Sequence, residues 1–456
     1  MFISVSDDLN IINREKHQHV MEFSIHLMSL RIYGLLDCNN FFASCERLFR
    51  PDLADKPVVV LSNNDGVVVA RSPEAKQLGI MMGEAYFKIK RFAEAGKIAV
   101  FSSNFSFYGD ISSRIMQMLY RWVPLVEVYS IDEAFLDFTN LELDSKTITP
   151  LQHEIVMTIK RWIGIPVSLG LGPTMTLAKV ANDIAKKGNG ICNLTDKEYR
   201  NEILSRIAID QVWGVGRRLA PKMVKLGIRT ARDLAVIDPR WMRRKFGILQ
   251  EQLIRELNGE HCIDLNNAPS PRKSIQVSRS FPDAVDDFQT LSEAVATFAA
   301  KACEQARSDG TVASGIYVHL NTSRYKETYL SEGKAQGFDR ATAHSPTVIR
   351  TALELLKDLF RRGTPYKKAA VILLNLKDNS VTKSQGTLFN MDNKTPEERD
   401  QEERLMESVD HINQTMGKGK LFFCSQGMKQ YWRGASEHRS PEYTTCWNEL
   451  PVVTAK

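Results

Sequence analysis

The 456-residue chain lacks the cysteine spacing that marks a zinc site or a disulfide framework. Its seven cysteines, at positions 38, 45, 192, 262, 303, 424 and 446, form no C-x-x-C pair and no cluster with the nine histidines. A reducing cytoplasm is the setting this implies. No apolar run reaches the eighteen or so residues of a membrane span. The first 30 residues scatter Asp, Glu and His where a signal peptide needs an unbroken apolar core. No membrane association is expected, and the expected location is cytoplasmic. No internal repeat is visible.

What is present is an ordinary globular composition, 43% hydrophobic and 25% charged, on a chain long enough for three or four domains. The net charge of +6 is unevenly spread: residues 200–250 carry 12 Lys and Arg against 4 Asp and Glu, a net of +8. A concentrated basic segment points to an anionic partner more strongly than the total does.

Residues 1–30 are polar and slightly acidic, and end in VMEFSIHLMSL, which fits one short amphipathic helix; Met21 and Met28 each offer a later start of translation. From Arg31 the pattern sharpens. RIYGLLD reads as a buried strand ending in Asp37, and NNFFASCERLF as a helix with Asn39 or Asn40 available as N-cap. KPVVVLSNNDGVVVARS sets two β-branched runs around an Asn-Asp-Gly turn, a hairpin signal. Helices are expected at PEAKQLG and FYGDISSRIMQMLYRW, and strands at VEVYS and EAFLDF, flanking Ile131-Asp132. IPVSLGLG is a further strand. The helix PTMTLAKVANDIAKK places Leu177, Val180, Ala181 and Ile184 on one face and Lys179 and Lys186 on another. A second α+β block covers 272–378, with 16 Lys and Arg against 12 Asp and Glu, after the turn-rich NAPSPRK. The stretch DNSVTKSQGTLFNMDNKTPEERDQEERL reads as a mobile tether with an acidic second half.

Asp132 and Glu133 stand together inside the apolar run YSIDEAFLD. Adjacent strand residues point to opposite faces, so both serve one site only if a turn or bulge lies at the pair. Two carboxylates at low dielectric resist joint ionisation, and a divalent cation reverses that. With Asp37 they make three oxygen-donor acids, the set expected for Mg²⁺ shared with phosphates. Taken alone, the pair is better explained as two ordinary acids on a solvent-facing turn. Helix N–H groups near Asn39 would suit a triphosphate. Phe41 and Phe42 in that first turn are, as bare aromatics, more often core. Lys76, Lys179 and Lys186 could neutralise phosphates or be solvated surface.

QVWGVGRRLAPKMVKLGIRTARDL is more specific: a Gly214-Val215-Gly216 turn, a basic helix from about Arg217 stopped by Gly227, and Thr230 with Asp233 as the capping box of the next helix. Such a turn binds a DNA phosphate through backbone N–H groups, with Arg217, Arg218, Lys222 and Lys225 adding attraction. A solvated helix pair is the alternative. In QGTLF, Leu388 and Phe389 are apolar within a polar tether, which suggests either a docking motif or a local anchor.

The run YGLLDCNNFFASCERLFRPDL, LSNNDGVVVARSPEAKQLGI, FYGDISSRIMQML, YSIDEAFLD, LAKVANDIAKK, VWGVGRRL, SRSF and KGKLFFCSQG resembles the Y-family translesion DNA polymerases over about residues 31–453. Within them it is most similar to the UmuC-type catalytic subunit of bacterial DNA polymerase V and its plasmid-borne relatives. The resemblance implies an α+β multidomain right hand: an N-terminal extension (1–30), a palm (31–40 and 105–195), fingers (41–104), a helix-hairpin-helix thumb (196–265), a linker (266–272), a little finger (273–378) and a C-terminal tail (379–456). It implies error-prone synthesis in the SOS response, with Asp37, Asp132 and Glu133 as catalytic ligands of two Mg²⁺ ions. Phe41, Phe42, Lys76 and Lys186 fall at nucleotide-binding positions, and Phe42 at the steric gate that excludes a ribose 2′-hydroxyl. Lys76 stands where many members have Arg, and Pro73 where several have a phosphate-contacting Tyr, so that contact is not expected here. Gly214, Gly216, Arg217, Arg218, Lys222, Arg272 and Lys273 fall to DNA binding. Gln385, Leu388 and Phe389 fall to a sliding-clamp motif, from whose commonest form Gly386 and Thr387 depart. The partners implied are primer-template DNA, dNTPs, a UmuD′-like dimer, a RecA filament and the clamp. A metal-dependent nuclease or a non-catalytic DNA-binding scaffold would also use acids and a basic domain, but neither accounts for this order of motifs.

Overall fold

The computed structural model describes residues 31–452 except 140, 142–146, 266–270, 325–328, 381–394, 418, 429, 431, 433 and 435. The N-terminal extension, much of the linker and QGTLF, with Gln385, Leu388 and Phe389, lie outside the described residues.

Strand β1 (Tyr33–Cys38), buried throughout, turns at Asn40 into α1 (Phe41–Leu48). Neither asparagine caps that helix with its side chain. An N-cap needs extended backbone to reach the N3 amide, whereas Asn40 sits at φ 49 without a cap bond, and Asn39 Oδ1 accepts from Ser168 Oγ at 2.8 Å. β2 (Val58–Leu61) and β3 (Val68–Arg71) form the expected antiparallel hairpin, with Asn64 and Asp65 at positive φ in the loop. After α2 (Pro73–Gln77) and α3 (Tyr86–Glu94), β4 (Ala99–Ser102) pairs in parallel with β2. α4 (Phe105–Leu119) follows, then β5 (Val126–Val128), β6 (Glu133–Asp137), α5 (Ile148–Ile163), β7 (Val167–Gly172), α6 (Met175–Ala185) and β8 (Ile191–Asn193).

β1 and β5 to β8 make one five-stranded sheet in the order β5-β6-β1-β7-β8, with β1 antiparallel to both neighbours, and β2 to β4 make a separate three-stranded sheet. The period of two sends alternate β1 residues to opposite cores. Leu36 and Cys38 join the core built with α4 and α5, while Tyr33 and Leu35 pack with Phe135, Met175 and Ala178 on the α6 side. Gly170 lets α6 approach closely: a Cβ there would lie 2.1 Å from the Asn182 amide nitrogen. The apolar face of α6 read from the sequence is buried, but Leu177, Val180 and Ala181 pack with the following helices, and the sheet is covered by Met175, Ala178 and Asn182.

Those helices are α7 (Lys197–Arg206), α8 (Ala220–Val224), α9 (Ala231–Ala235), α10 (Pro239–Phe246) and α11 (Ile248–Leu257). α8 is shorter than the expected helix from Arg217, because Pro221 has no N–H and fits only a first helical turn. The Thr230–Asp233 capping box is present. Next, β9 (Ser274–Val285), α12 (Phe288–Ser308), β10 (Thr311–Thr322), β11 (Ser331–Thr342), α13 (Ser345–Leu359) and β12 (Tyr366–Asp378) form a four-stranded antiparallel sheet, ordered β11-β10-β12-β9, on two helices. The acidic second half of the expected tether is helix α14 (Pro396–Thr415), started by a Thr395–Glu398 capping box with Pro at its first position. Asp410 of α14 pairs with Arg307 through two bonds of 2.6 and 2.7 Å.

Candidate active site

Asp37 and Glu133 are register partners across β1 and β6, so alternation puts both on the α6 face of the sheet. Asp132 is in the turn just before β6, and its carbonyl accepts the Cys38 amide at 2.8 Å. The β5–β6 hairpin thus supplies the turn that the paired acids require. Lysines seven residues apart then meet two of the acids: Lys186 Nζ lies 2.7 Å from Asp37 and Lys179 Nζ 3.0 Å from Glu133. Ser130 Oγ donates to Asp132 at 2.5 Å. Lys179 also lies over the rings of Tyr129 and Trp213, at 4.5 and 5.3 Å.

Burial pushes the Asp37 carboxyl up to about 6 against the pull of Lys186, and the charges of Glu133 and Asp132 push the same way. Burial alone would lower Lys186, but Asp37 outweighs it and holds the ammonium above its ordinary value. Such crowding suits a hard cation, because all the donors are carboxylate oxygens. Among the described residues no group of three His, Cys, Asp or Glu side chains is placed to hold a metal ion. The lysines and Ser130 engage the acids individually.

Phe41 is buried at the start of α1, whereas Phe42 is half-buried and makes three ring contacts. It tilts against Phe41, meets Phe105 edge-on at 5.9 Å and stacks on Tyr108 at 4.6 Å and 16°. Lys76 is exposed on α2 and bonds to none of the three acids among the described residues; Pro73 begins that helix. Gly214 turns at φ 90, with Gly216, Arg217, Arg218 and Lys222 exposed after it. Arg272 and Lys273 are exposed before β9, and Arg272 pairs with Asp309 at 3.1 Å. The structure therefore joins Asp37, Asp132, Glu133, Lys179 and Lys186 in one site.

Profiles of the impB/mucB/samB family match residues 36–183, and its C-terminal domain matches 272–388. The chain is 40% identical over 426 residues to protein UmuC of Salmonella typhimurium, covering 92% of this chain and 99% of that protein. The chain belongs to the impB/mucB/samB family. Protein MucB of Escherichia coli is 36% identical over 430 residues, covering 93% of this chain and all of MucB. A solved Y-family DNA polymerase chimera, Dbh–Dpo4–Dbh, superposes with a TM-score of 0.62 at 26% identity, over 76% of this chain and 99% of the chimera. The α+β multidomain fold is that of the Y-family polymerases, and DNA-directed translesion synthesis is the activity of the family to which the chain belongs. A third profile, described only as a domain of unknown function, matches 403–453.

Several residues at the site gave no sequence signal. Ser130 and Trp213 are brought in by a turn and by packing. For Lys179 the sequence shows a cation but not its carboxylate partner, which lies 46 residues earlier. Glu46, behind Phe42, looks like an ordinary helix-surface acid in FFASCERLF, yet it is fully buried.

Proposed function

We propose that this impB/mucB/samB family member adds dNTPs to a primer 3′-hydroxyl on a DNA template at the site formed by Asp37, Asp132 and Glu133. The observation that carries this is the cross-strand pairing of Asp37 with Glu133 beside the Asp132 turn, three oxygen donors at the ends of two strands. They would hold two Mg²⁺ ions, which when bound lower the pKa of the attacking hydroxyl and offset charge on the leaving pyrophosphate. Lys186 and Lys179 neutralise the acids and are cations suited to a triphosphate as it arrives. Phe42 supports a steric gate: its ring is braced on three sides by Phe41, Phe105 and Tyr108, so a 2′-hydroxyl meets a wall that does not yield.

The hand divides, on this reading, into palm, fingers, thumb and little finger at the boundaries given above. DNA is held by the exposed cations Arg217, Arg218, Lys222, Arg272 and Lys273 and by the turn at Gly214 and Gly216. Lys76 and Phe41 complete the nucleotide site. QGTLF docks on a sliding clamp through Gln385, Leu388 and Phe389, and a UmuD′-like dimer and a RecA filament complete the active assembly in the bacterial cytoplasm. No described helix is long and apolar enough to cross a membrane. The decisive test is primer extension by purified Asp132→Asn and Glu133→Gln proteins. Loss of synthesis with DNA binding intact is expected, and synthesis retained by either variant refutes the assignment.

A further inference from the structure

The C-terminal domain of unknown function reaches back to β4 and to helices α1 and α4. Trp432 is buried in the core of the β9–β12 sheet, edge-on to Phe298 at 5.2 Å. A few residues later the chain lies along β4: Ser102 N donates to the His438 carbonyl and His438 N to Ser102 Oγ, both at 3.0 Å. Tyr443 then stacks on Phe49 at 4.7 Å and meets Phe107 edge-on at 5.7 Å.

Between these anchors, Ser440 enters the interior. Asn104, the N-cap of α4, donates to the Ser440 carbonyl at 3.0 Å and to its Oγ at 3.1 Å. Ser440 Oγ in turn donates to Glu46 Oε1 at 3.1 Å, the same oxygen that accepts the Tyr108 hydroxyl at 2.5 Å. Glu46 is fully buried, and its other oxygen has no hydrogen-bond partner among the described residues. Ser440 is thus one of two donors fixing a carboxyl that the surroundings otherwise leave unsatisfied. Glu46 follows Phe42 by four residues on α1, and so shares its helix face. Tyr108, the other donor, is the ring stacked on Phe42. A continuous path of contacts therefore runs from the tail to that ring.

We propose that Ser440 is a positioning residue for sugar selection: by fixing Glu46, and with it Tyr108, the C-terminal domain holds the Phe42 ring where it excludes ribonucleotides. This rests on Phe42 being the steric gate. Phe42 is only half-buried, so loosening Tyr108, which bonds to none of the catalytic acids among the described residues, frees the ring to tilt without dismantling them.

The experiment measures kcat/KM for a dNTP and its matching rNTP on a primer-template. It uses full-length wild type, Ser440→Ala, Tyr108→Phe, Phe42→Ala and the Ser440→Ala/Phe42→Ala double variant. Ser440→Ala and Tyr108→Phe should each lower the dNTP:rNTP preference by about three- to tenfold, the scale of one lost hydrogen bond. Ser440→Ala should change nothing further once Phe42 is Ala, because the two act through one ring. A purely structural role for Ser440 would lower both nucleotides alike and leave the ratio unmoved. If Phe42→Ala alters the preference while Ser440→Ala and Tyr108→Phe do not, or if Ser440→Ala has the same effect in both backgrounds, the tail has no role in the gate. If Phe42→Ala itself leaves the preference unchanged, the gate reading falls, and this inference with it. Should Ser440→Ala fail to fold, Tyr108→Phe alone and with Phe42→Ala carries the same comparison.

Discussion

Glu46→Gln is the perturbation whose size the structure sets most directly. Burial pushes the Glu46 carboxyl from an ordinary 4.5 up to about 7, although Tyr108, Ser440 and Arg50 pull it down. The folded protein thus binds the Glu46 proton more tightly than the unfolded chain does between those values. Stability is complete below 4.5 and is lost as pH rises through about 7. At about 1.36 kcal/mol per pKa unit, the loss between pH 5.5 and 8 comes to about 2 kcal/mol. Glutamine has no proton to lose and keeps the shape, so the variant should lack this slope. The chain has several cores, which makes a single global free energy ill-defined. Hydrogen exchange on peptides spanning 41–48 and 437–443 reports the local opening free energy instead. The expected result, after correction for intrinsic exchange, is that wild type loses about 2 kcal/mol of protection relative to Glu46→Gln over that range. Parallel pH profiles for the two proteins would refute the buried, proton-holding carboxyl.

Two further outcomes follow from the geometry and the sequence. Gly170→Ala would bring a Cβ to 2.1 Å from Asn182 N, 2.5 Å from Ala181 C and 2.6 Å from Ala178 O, all backbone. Helix α6 must then move away with Lys179 and Lys186, at a cost of about 3 kcal/mol, and unchanged hydrogen-exchange protection of peptides spanning 167–185 would show that the helix is not seated so closely. Changing Leu388 and Phe389 to Ala should spare distributive synthesis and remove stimulation by a sliding clamp in a primer-extension assay, and stimulation that survives both changes argues for a local anchor.

The elements that position the carboxylates were legible because each rests on a local pattern. β1 is a short apolar run closed by an acid, and two strand patterns flank Asp132. Helix limits were legible only where their chemistry was weighed: Pro221 forbids a helix from Arg217, and Thr395 with Glu398 announces α14 inside a segment whose charge suggested a tether. In both cases the deciding residue is a proline or a capping pair, and neither net charge nor glycine spacing says where a helix begins. The apolar stripe of α6 showed that a face is buried but not what covers it. A period of 3.6 has no way to distinguish a sheet from a neighbouring helix.

Pairing across the fold has no local signature at all. Asp37 and Glu133 become neighbours through the β1–β6 register, and a slip of one residue would send Glu133 to the opposite face. What fixes that register is Leu35 opposite Phe135 on the α6 side and Leu36 opposite Ala134 on the other, so the apolar core decides where the charge lands. Glu46 shows the same dependence over 394 residues of chain. Its helix alone places it as any surface acid, yet it is fully buried, with Ser440 of the C-terminal domain and Tyr108 as its hydrogen-bond donors. Ser440 and Tyr108 donate to one Glu46 oxygen and Tyr108 stacks on Phe42, so on the proposal above a change at Ser440 should alter the titration of Glu46 and the seating of the Phe42 ring together.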